Sequence, residues 1–377
     1  MAKFDLKKYL SELEYLVNID SNAADVAGVQ KVADYFKQRF AKPGWFVEER
    51  YVKKGLGPCL AISNTDSGSY DLLLLGHMDT VFPAGTASER PFKVEQGYAY
   101  GPGVNDMKAG ALQGAYVLEA IAADPALQQF KVCLALNPEE EQGSRNVRSY
   151  LEELSKRSRY VIVLEPSRGE HAYVNERKGL GRFTFKFHGV ASHAGTHPED
   201  GRSAITEMAY WIGQLTALTD FASGLTINVG TVKGGTATNV VADYAQMEID
   251  VRLVQPEQEA TVQDCIAALQ KHAGQKEINV DVTGGMTRPP MPLTDKAKAF
   301  MVLVEKVAAQ LGRKCVWVKT GGGSDGNFSA ALGIPTLDAM GPYGEKAHSA
   351  KEYLEIADIE PSIRMVVGVA KVINAQR

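Results

Sequence analysis

The chain has 377 residues, of which 45% are hydrophobic and 23% charged, with a formal net charge of -4. That length exceeds one typical domain and can bury a sizeable core, so two domains are expected in a globular protein of ordinary composition. The small negative charge excludes the basic footprint of a nucleic-acid partner, and no apolar run is long enough to span a membrane.

In chain order, Leu6, Leu10, Leu13 and Val17 fall at helical spacing and predict an amphipathic first helix. The segment Met1-Ala2-Lys3-Phe4-Asp5 that precedes it carries scattered charge, not the uninterrupted apolar core of a secretory signal. Cys59, Cys133, Cys265 and Cys315 are far apart and form no Cys-x-x-Cys pair, the usage of reduced thiols. A cytoplasmic protein is therefore expected.

Three apolar strands follow, each ending in candidate metal ligands. Leu72-Leu73-Leu74-Leu75, bounded by turn residues, reads as a strand covered on both faces, as in a parallel sheet flanked by helices. It breaks at Gly76-His77-Met78-Asp79-Thr80, where His77 and Asp79 lie two apart on an extended end and point the same way. A loop, Gly101-Pro102-Gly103-Val104-Asn105-Asp106, opens a helix in which Gly110 and Gly114 permit close packing on the sheet. The second strand, Lys131 to Leu136, leads into Asn137-Pro138-Glu139-Glu140-Glu141-Gln142-Gly143-Ser144, and the third, Tyr160 to Leu164, into Glu165-Pro166-Ser167. In open α/β sheets the carboxyl ends of strands are where ligands bind, and such oxygen and imidazole donors suit zinc, manganese or cobalt.

The texture changes after Arg177. Residues 178–288 read as strand Phe183/Phe185/Phe187, helix Ala204 to Leu218, strand Thr226 to Val232, strand Ala245 to Leu253, helix Glu257 to His272 and strand Ile278/Val280/Val282. Met247, Ile249, Val251 and Leu253 alternate with polar neighbours, so one sheet face is wet, and Ile205, Met208, Ile212 and Leu215 predict the helix stripe on the other. The order β-α-β-β-α-β is the ferredoxin-like arrangement. After the stiff connector Arg288-Pro289-Pro290-Met291-Pro292 the α/β texture returns. The expected fold is therefore a doubly wound mixed-sheet α/β domain, 1–177 and 289–377, carrying an inserted ferredoxin-like α+β lid or dimerisation domain, 178–288. His171, His188 and His272 read as surface residues, and Asp325, after the Gly321-Gly322-Gly323 turn, as a helix cap.

Six blocks together carry a resemblance: Gly76 to Thr80, Gly101 to Lys108, Asn137 to Ser144, Glu165 to Ser167, Ala191-Ser192-His193-Ala194-Gly195, and Lys346-Ala347-His348-Ser349. In order and over nearly the whole chain they resemble the co-catalytic metallopeptidases, the family of glutamate carboxypeptidases (carboxypeptidase G-like), acetylornithine and succinyl-diaminopimelate deacylases, and some aminotripeptidases. The resemblance implies two zinc ions per subunit, with cobalt or manganese as alternatives. Asp106 would bridge them, His77 and Glu165 would be terminal ligands, one on each metal, and Glu141 and His348 would be further terminal ligands. Asp79 would orient His77, as carboxylates orient metal-binding imidazoles generally. Glu140 would be the general base toward water, since a base must reach the water without being a strong ligand.

The same resemblance implies a lid histidine, His193, supplied to a partner subunit's site as an oxyanion donor, and substrate contacts from Asn239 and Arg288. A guanidinium at Arg288 fits a free α-carboxylate, which favours release of a C-terminal amino acid from a small peptide. An N-acyl amino acid deacylase and a catalytically silent metal-binding protein are the alternatives. The family's glutamate carboxypeptidases place a lysine and a serine after the position of Glu165, where this chain has Arg168, His171, Arg177 and Lys178 in an unmatched arrangement, so glutamate preference is not implied. The resemblance also implies a cis Asp106–Met107 peptide. A homodimer through the inserted domain is expected at Thr226–Val232 and the helix from Ala204, because an edge strand of a small antiparallel sheet is left unpaired unless something covers it; a monomer with an elaborated lid is the alternative.

Overall fold

The computed structural model describes residues 4–169 and 171–376; Met1–Lys3 of the predicted amino-terminal segment lie outside them. The chain divides into two compact units. One comprises residues up to Glu176, Leu293–Thr320 and everything from Ser324; the other comprises Arg177–Pro292 with Gly321–Gly323. The second unit thus takes in Arg177, 289–292 and a three-residue turn beyond the 178–288 span read from sequence.

The first unit is built on a six-stranded sheet in the order Phe46–Arg50, Cys59–Ser63, Val132–Asn137, Tyr70–His77, Ser158–Val163, Thr336–Leu337. Tyr70–His77 runs parallel to both neighbours, whereas Cys59–Ser63 is antiparallel to Val132–Asn137, which makes the sheet mixed. Every residue of Tyr70–His77 is buried. The four leucines divide by the period of two: Leu72 and Leu74 enter one apolar cluster with the helices Leu6–Val17, Ala109–Ala122 and Ile359–Asn374, while Leu73 and Leu75 enter the other with Tyr150, Leu154 and Phe328. A strand covered on both faces needs apolar residues at every position.

The first helix buries Tyr9, Leu13, Leu16 and Val17 and leaves Leu6 exposed, so its buried stripe begins one turn later than expected. Tyr9 takes the missing position because its ring buries while its hydroxyl donates to Ala109 O at 2.8 Å. Asp5 caps this helix by accepting from Lys8 N.

The second unit has one four-stranded antiparallel sheet, Thr226–Gly234, Tyr244–Leu253, Gly179–His188, Asn279–Arg288 in spatial order, with helices Ala204–Thr216 and Glu257–Gln275. Phe183, Phe185, Phe187, Met247, Ile249, Val251 and Leu253 are buried as expected from their alternation. The helix stripe is rotated: Ala204, Glu207, Met208, Trp211 and Leu215 are buried and Ile205 is exposed. Trp211 packs edge-on against Phe185 and Phe187, and its indole N–H donates to Glu207 Oε1 at 3.0 Å, which lets a carboxylate enter the core face with a partner. His272 Nδ1 lies 3.0 Å from the same oxygen, so it is not a plain surface histidine, whereas His188 is exposed as expected, with Nε2 2.9 Å from Asp281.

The helix that follows the Asp106 loop lies against the sheet through Gly110 and Gly114. A Cβ at Gly110 would sit 2.0 Å from Leu164 O, a backbone atom that cannot swing aside. Gly110→Ala is therefore expected to lower stability by about 1–3 kcal/mol, the usual cost of overpacking, despite alanine's better helix propensity. Urea denaturation of the full chain measures the difference.

Candidate metal centre

The parallel register brings three strand ends together. His77 faces Asn137 across the ladder, and Leu75 faces Val163, with Leu164 N donating to Leu75 O at 2.9 Å. The segments that leave these strands, His77-Met78-Asp79, Glu139-Glu140-Glu141 and Glu165, thus start within one strand spacing of each other.

His77 is buried, and its Nδ1 lies 2.9 Å from Asp79 O and 3.3 Å from Asp79 Oδ1. Two acceptors at Nδ1 fix a proton there, so Nε2 is the ring nitrogen turned to the centre. Nε2 is 3.1 Å from Asp106 Oδ1 and 3.6 Å from Glu165 Oε1. On the far side of Asp106, His348 Nε2 is 3.2 Å from Asp106 Oδ2 and 3.2 Å from Glu141 Oε2. Ligand atoms of His77, Glu140 and Glu165 lie within 4.8 Å of one another, and so do those of His77, Asp106 and Glu141.

The partition differs from the expectation in one respect. Glu165 Oε1 lies 3.6 Å from His77 Nε2, so these two residues share one side of Asp106 and do not take opposite sides. Glu141 and His348 form the other side. The Asp106–Met107 peptide is cis. His348 has φ +63°, a left-handed backbone that non-glycine residues seldom adopt outside sites that over-determine them.

The three consecutive glutamates diverge. Glu139 turns away and accepts from Asn146 N, Asn146 Nδ2 and Val147 N, ahead of the helix Arg148–Lys156. Glu140 and Glu141 face the centre. Their backbone N–H groups both donate to Asp79, Glu140 N to Oδ1 and Glu141 N to Oδ2, each at 3.0 Å. Asp79 therefore orients the His77 ring mainly through its carbonyl and uses its carboxylate to hold the Glu140-Glu141 turn.

A second brace was missed in the sequence. Asn137 Nδ2 donates to Ser144 Oγ at 2.7 Å and to Asp325 Oδ2 at 2.6 Å, and Ser144 Oγ donates to Asp325 Oδ1. These bonds close the loop that carries Glu140 and Glu141. Asp325 occupies the position before the helix Gly326–Ala331, but its carboxylate makes no cap bond; it is committed to Asn137 and Ser144. Glu352, four residues after His348, accepts three backbone N–H groups of the Asp106 loop. Contacts from carboxylate to backbone leave no trace in residue spacing.

The electrostatics fit cation binding. Burial and the nearby Asp106 charge push Glu165 well above the ordinary carboxyl range, and burial raises Glu141. Asp106 and Glu141 raise His348 to about 10, and His77 lies well above its usual range because Asp106 and Asp79 outweigh the opposing effect of burial. In the metal-free chain, protons on the imidazoles thus do the neutralising that bound cations would do. Glu141 Oε1 is buried with no hydrogen-bond partner among the described residues, a free ligand position at the centre. The residues present therefore fit a pair of metal ions.

The remaining candidates belong to the second unit. His193 is exposed, and its Nδ1 accepts from Gly195 N at 3.1 Å and Thr196 N at 3.2 Å. With Nδ1 accepting, Nε2 is the ring nitrogen left to donate. Asn239 is exposed and its carbonyl accepts from Ala194 N, which places it beside the His193 turn. Arg288 is buried at the end of its strand, with its stem close to Gly323.

A site that gathers four carboxylates and two imidazoles, with one acid facing both histidines, defines the chain as a metallohydrolase scaffold. Residues 73–372 match the profile of Peptidase family M20/M25/M40, and the chain belongs to that family. It is 30% identical over 369 residues to carboxypeptidase G2 of Pseudomonas sp. (strain RS-16), covering 94% of this chain and 87% of the relative. It is 27% identical over 319 residues to a succinyl-diaminopimelate desuccinylase of Delftia acidovorans, covering 79% and 80%. Among solved structures, aminopeptidase PepT of Bacillus cereus ATCC 10987 superposes with a TM-score of 0.81 at 24% identity, covering 98% of this chain and 99% of that one.

Asp79→Asn sets an amide NH2 against one of the two N–H groups it now accepts, leaving that buried donor without an acceptor. The expected result is a loss of about 1–3 kcal/mol in stability and of about 10–100-fold in metal affinity. Thermal denaturation and chelator competition measure the two.

Proposed function

We propose that the chain is a two-zinc carboxypeptidase that releases a C-terminal amino acid from small peptides. The observation that carries the reading is the Asp106 carboxylate, with one oxygen 3.1 Å from His77 Nε2 and the other 3.2 Å from His348 Nε2. A carboxylate in that posture can bridge two cations that would otherwise repel. His77 and Glu165 would hold one ion and Glu141 and His348 the other. Bound metal ions supply Lewis acidity, acidifying a water molecule and polarising the scissile carbonyl.

The chain's own groups supply the rest. Glu140, held by the Asp79 bond to its N–H, takes the proton of the attacking water at its carboxylate and delivers it to the departing amine. His193 Nε2–H is the donor for the oxyanion, and Asn239, adjacent to its turn, steadies the substrate. Arg288 receives the substrate's α-carboxylate in a bidentate pair. Its deep burial supports a strong, geometrically defined contact.

The carboxypeptidase G2 relative supports the carboxypeptidase reading, and the desuccinylase relatives keep N-acyl amino acid deacylation as the alternative. No helix of the described residues is long and apolar enough to cross a membrane. Four free cysteines, with the thiols of Cys59 and Cys133 pushed by burial up to about 12, support a reducing, cytoplasmic setting.

Mass spectrometry of dipeptides and N-acyl amino acids incubated with zinc-, cobalt- and manganese-loaded protein separates these readings. Release of the C-terminal residue from dipeptides is expected, and cleavage confined to acylated amino acids would assign the deacylase. Glu140→Gln keeps the shape but loses the base, so near-complete loss of turnover with two ions still bound is expected. Metal analysis showing the ions lost, or turnover retained, would remove Glu140 from that role.

We also propose a homodimer through the second unit. Thr226–Gly234 is an edge strand whose residues from Thr231 on are exposed, including Val232, and an unpaired edge invites a second copy about a twofold axis. In such a dimer each chain's His193 would serve the other's centre. Mixing His193→Ala with Glu140→Gln protein after reversible dissociation is expected to restore activity, since some mixed dimers regain one complete site. No recovery in verified heterodimers would refute sharing.

A further inference from the structure

Glu352 is a carboxylate that no motif singles out, yet it is 1% exposed and fully engaged. Its Oε2 accepts from Gly103 N at 3.0 Å, and its Oε1 accepts from Asn105 N at 2.8 Å and Asp106 N at 2.9 Å. The three donors belong to the loop that ends in Asp106. That loop has Gly101 at φ +145° and Gly103 at φ +72°. It is an irregular backbone with its N–H groups gathered on one side, the kind of concavity that holds an anion.

The anion comes from a remote part of the chain, 246 to 249 residues away. Its position is set by the sheet. Strand Tyr353–Glu355 is antiparallel to Tyr98–Tyr100, with Tyr353 opposite Tyr100, so Glu352 is delivered beside the start of the Gly101–Asp106 loop. The same short segment carries His348, whose Nε2 approaches Asp106 Oδ2. One segment therefore touches Asp106 twice, at its carboxylate through His348 and at its backbone through Glu352.

We propose that Glu352 is a positioning residue for the metal centre: by accepting the Gly103, Asn105 and Asp106 N–H groups it holds the Asp106 carboxylate in the orientation that faces both metal positions. The inference rests on the reading of the centre as a two-metal site. It assigns Glu352 no contact with substrate or metal. A bridging carboxylate must present its two oxygens in two set directions, and side-chain rotamers alone cannot ensure this when the backbone that bears it is a glycine-rich loop. Three charge-assisted bonds to that backbone remove its freedom.

Replacing Glu352 by glutamine separates positioning from bulk. Glutamine has nearly the same volume and retains one acceptor oxygen, enough for two of the three donors, but its NH2 opposes the third. Glu352→Asp keeps the charge and shortens the reach. Val304→Ala, at a buried site on helix Asp295–Gln310 in the main apolar cluster, serves as a control that destabilises the fold without touching the centre.

The experiment measures zinc affinity by chelator competition, the visible spectrum of the cobalt-loaded protein, and thermal stability for the wild type and the three variants. Glu352→Gln is expected to bind zinc about 10–100-fold more weakly, the usual effect of losing a residue that supports a ligand, with an altered cobalt spectrum. Glu352→Asp is expected to recover part of the affinity, and Val304→Ala to lose stability but not affinity. Wild-type affinity and spectrum in Glu352→Gln would overturn the proposal, as would an equal affinity loss in Val304→Ala. If neither Glu352 variant folds, the residue's role is fold-wide and the assignment falls. A wild type that takes up no metal would instead refute the two-metal reading itself, and a wild type that binds metal but cleaves nothing would refute the proposed reaction while leaving this test intact.

Discussion

Four carboxylates gather around His77 in two sets, Glu140 with Glu165 and Asp106 with Glu141, and within each set the ligand atoms lie within 4.8 Å of one another and of the imidazole. Two like charges 4 Å apart repel by about 4 kcal/mol at an effective dielectric of about 20. A fold cannot hold such a group together by its own apolar packing without compensation. Here the compensation is His77 and His348, one on each side of Asp106, while burial holds Glu141 and Glu165 above the ordinary carboxyl range, as suits acids placed to receive cations. The centre is in this sense a cation site first, and the rest of the first unit serves to keep the acids from moving apart.

Backbone N–H groups do much of that restraining. Asp79 holds Glu140 and Glu141, Glu139 ties down Asn146 and Val147, and Glu352 holds the Asp106 loop. In each case a buried carboxylate is satisfied by main-chain donors and in return immobilises the segment bearing a ligand or the base. The hydrogen bonds that make burial of these acids tolerable are the same bonds that make the site rigid.

The parallel sheet supplies the common frame. Because Tyr70–His77 lies between two parallel neighbours, all three strands end on the same edge, and their outgoing segments meet there. The glycines at 110 and 114 bring the helix after Asp106 down onto the sheet, closing the distance between the loop and the strand ends. The second unit follows separate physics, an antiparallel sheet with one face covered by two helices and Thr226–Gly234 at its edge.

Residue order alone determined a good deal about this protein. Four consecutive leucines bounded by turn residues announced a strand buried on both faces, period-two alternation announced the antiparallel sheet, and acids or imidazoles after three successive strands announced a ligand site. Those signals are local, since each follows from a side-chain period or from what a strand's end must present. Tertiary structure alone decided which side of Asp106 receives Glu165, that Tyr9 and Trp211 would displace Leu6 and Ile205 from the buried stripes, and that Asp325 and Glu352 would brace loops far away in sequence. The physical reason is the same in each case: a carboxylate or an aromatic ring can satisfy many partners, and only the register between distant strands selects the one it meets.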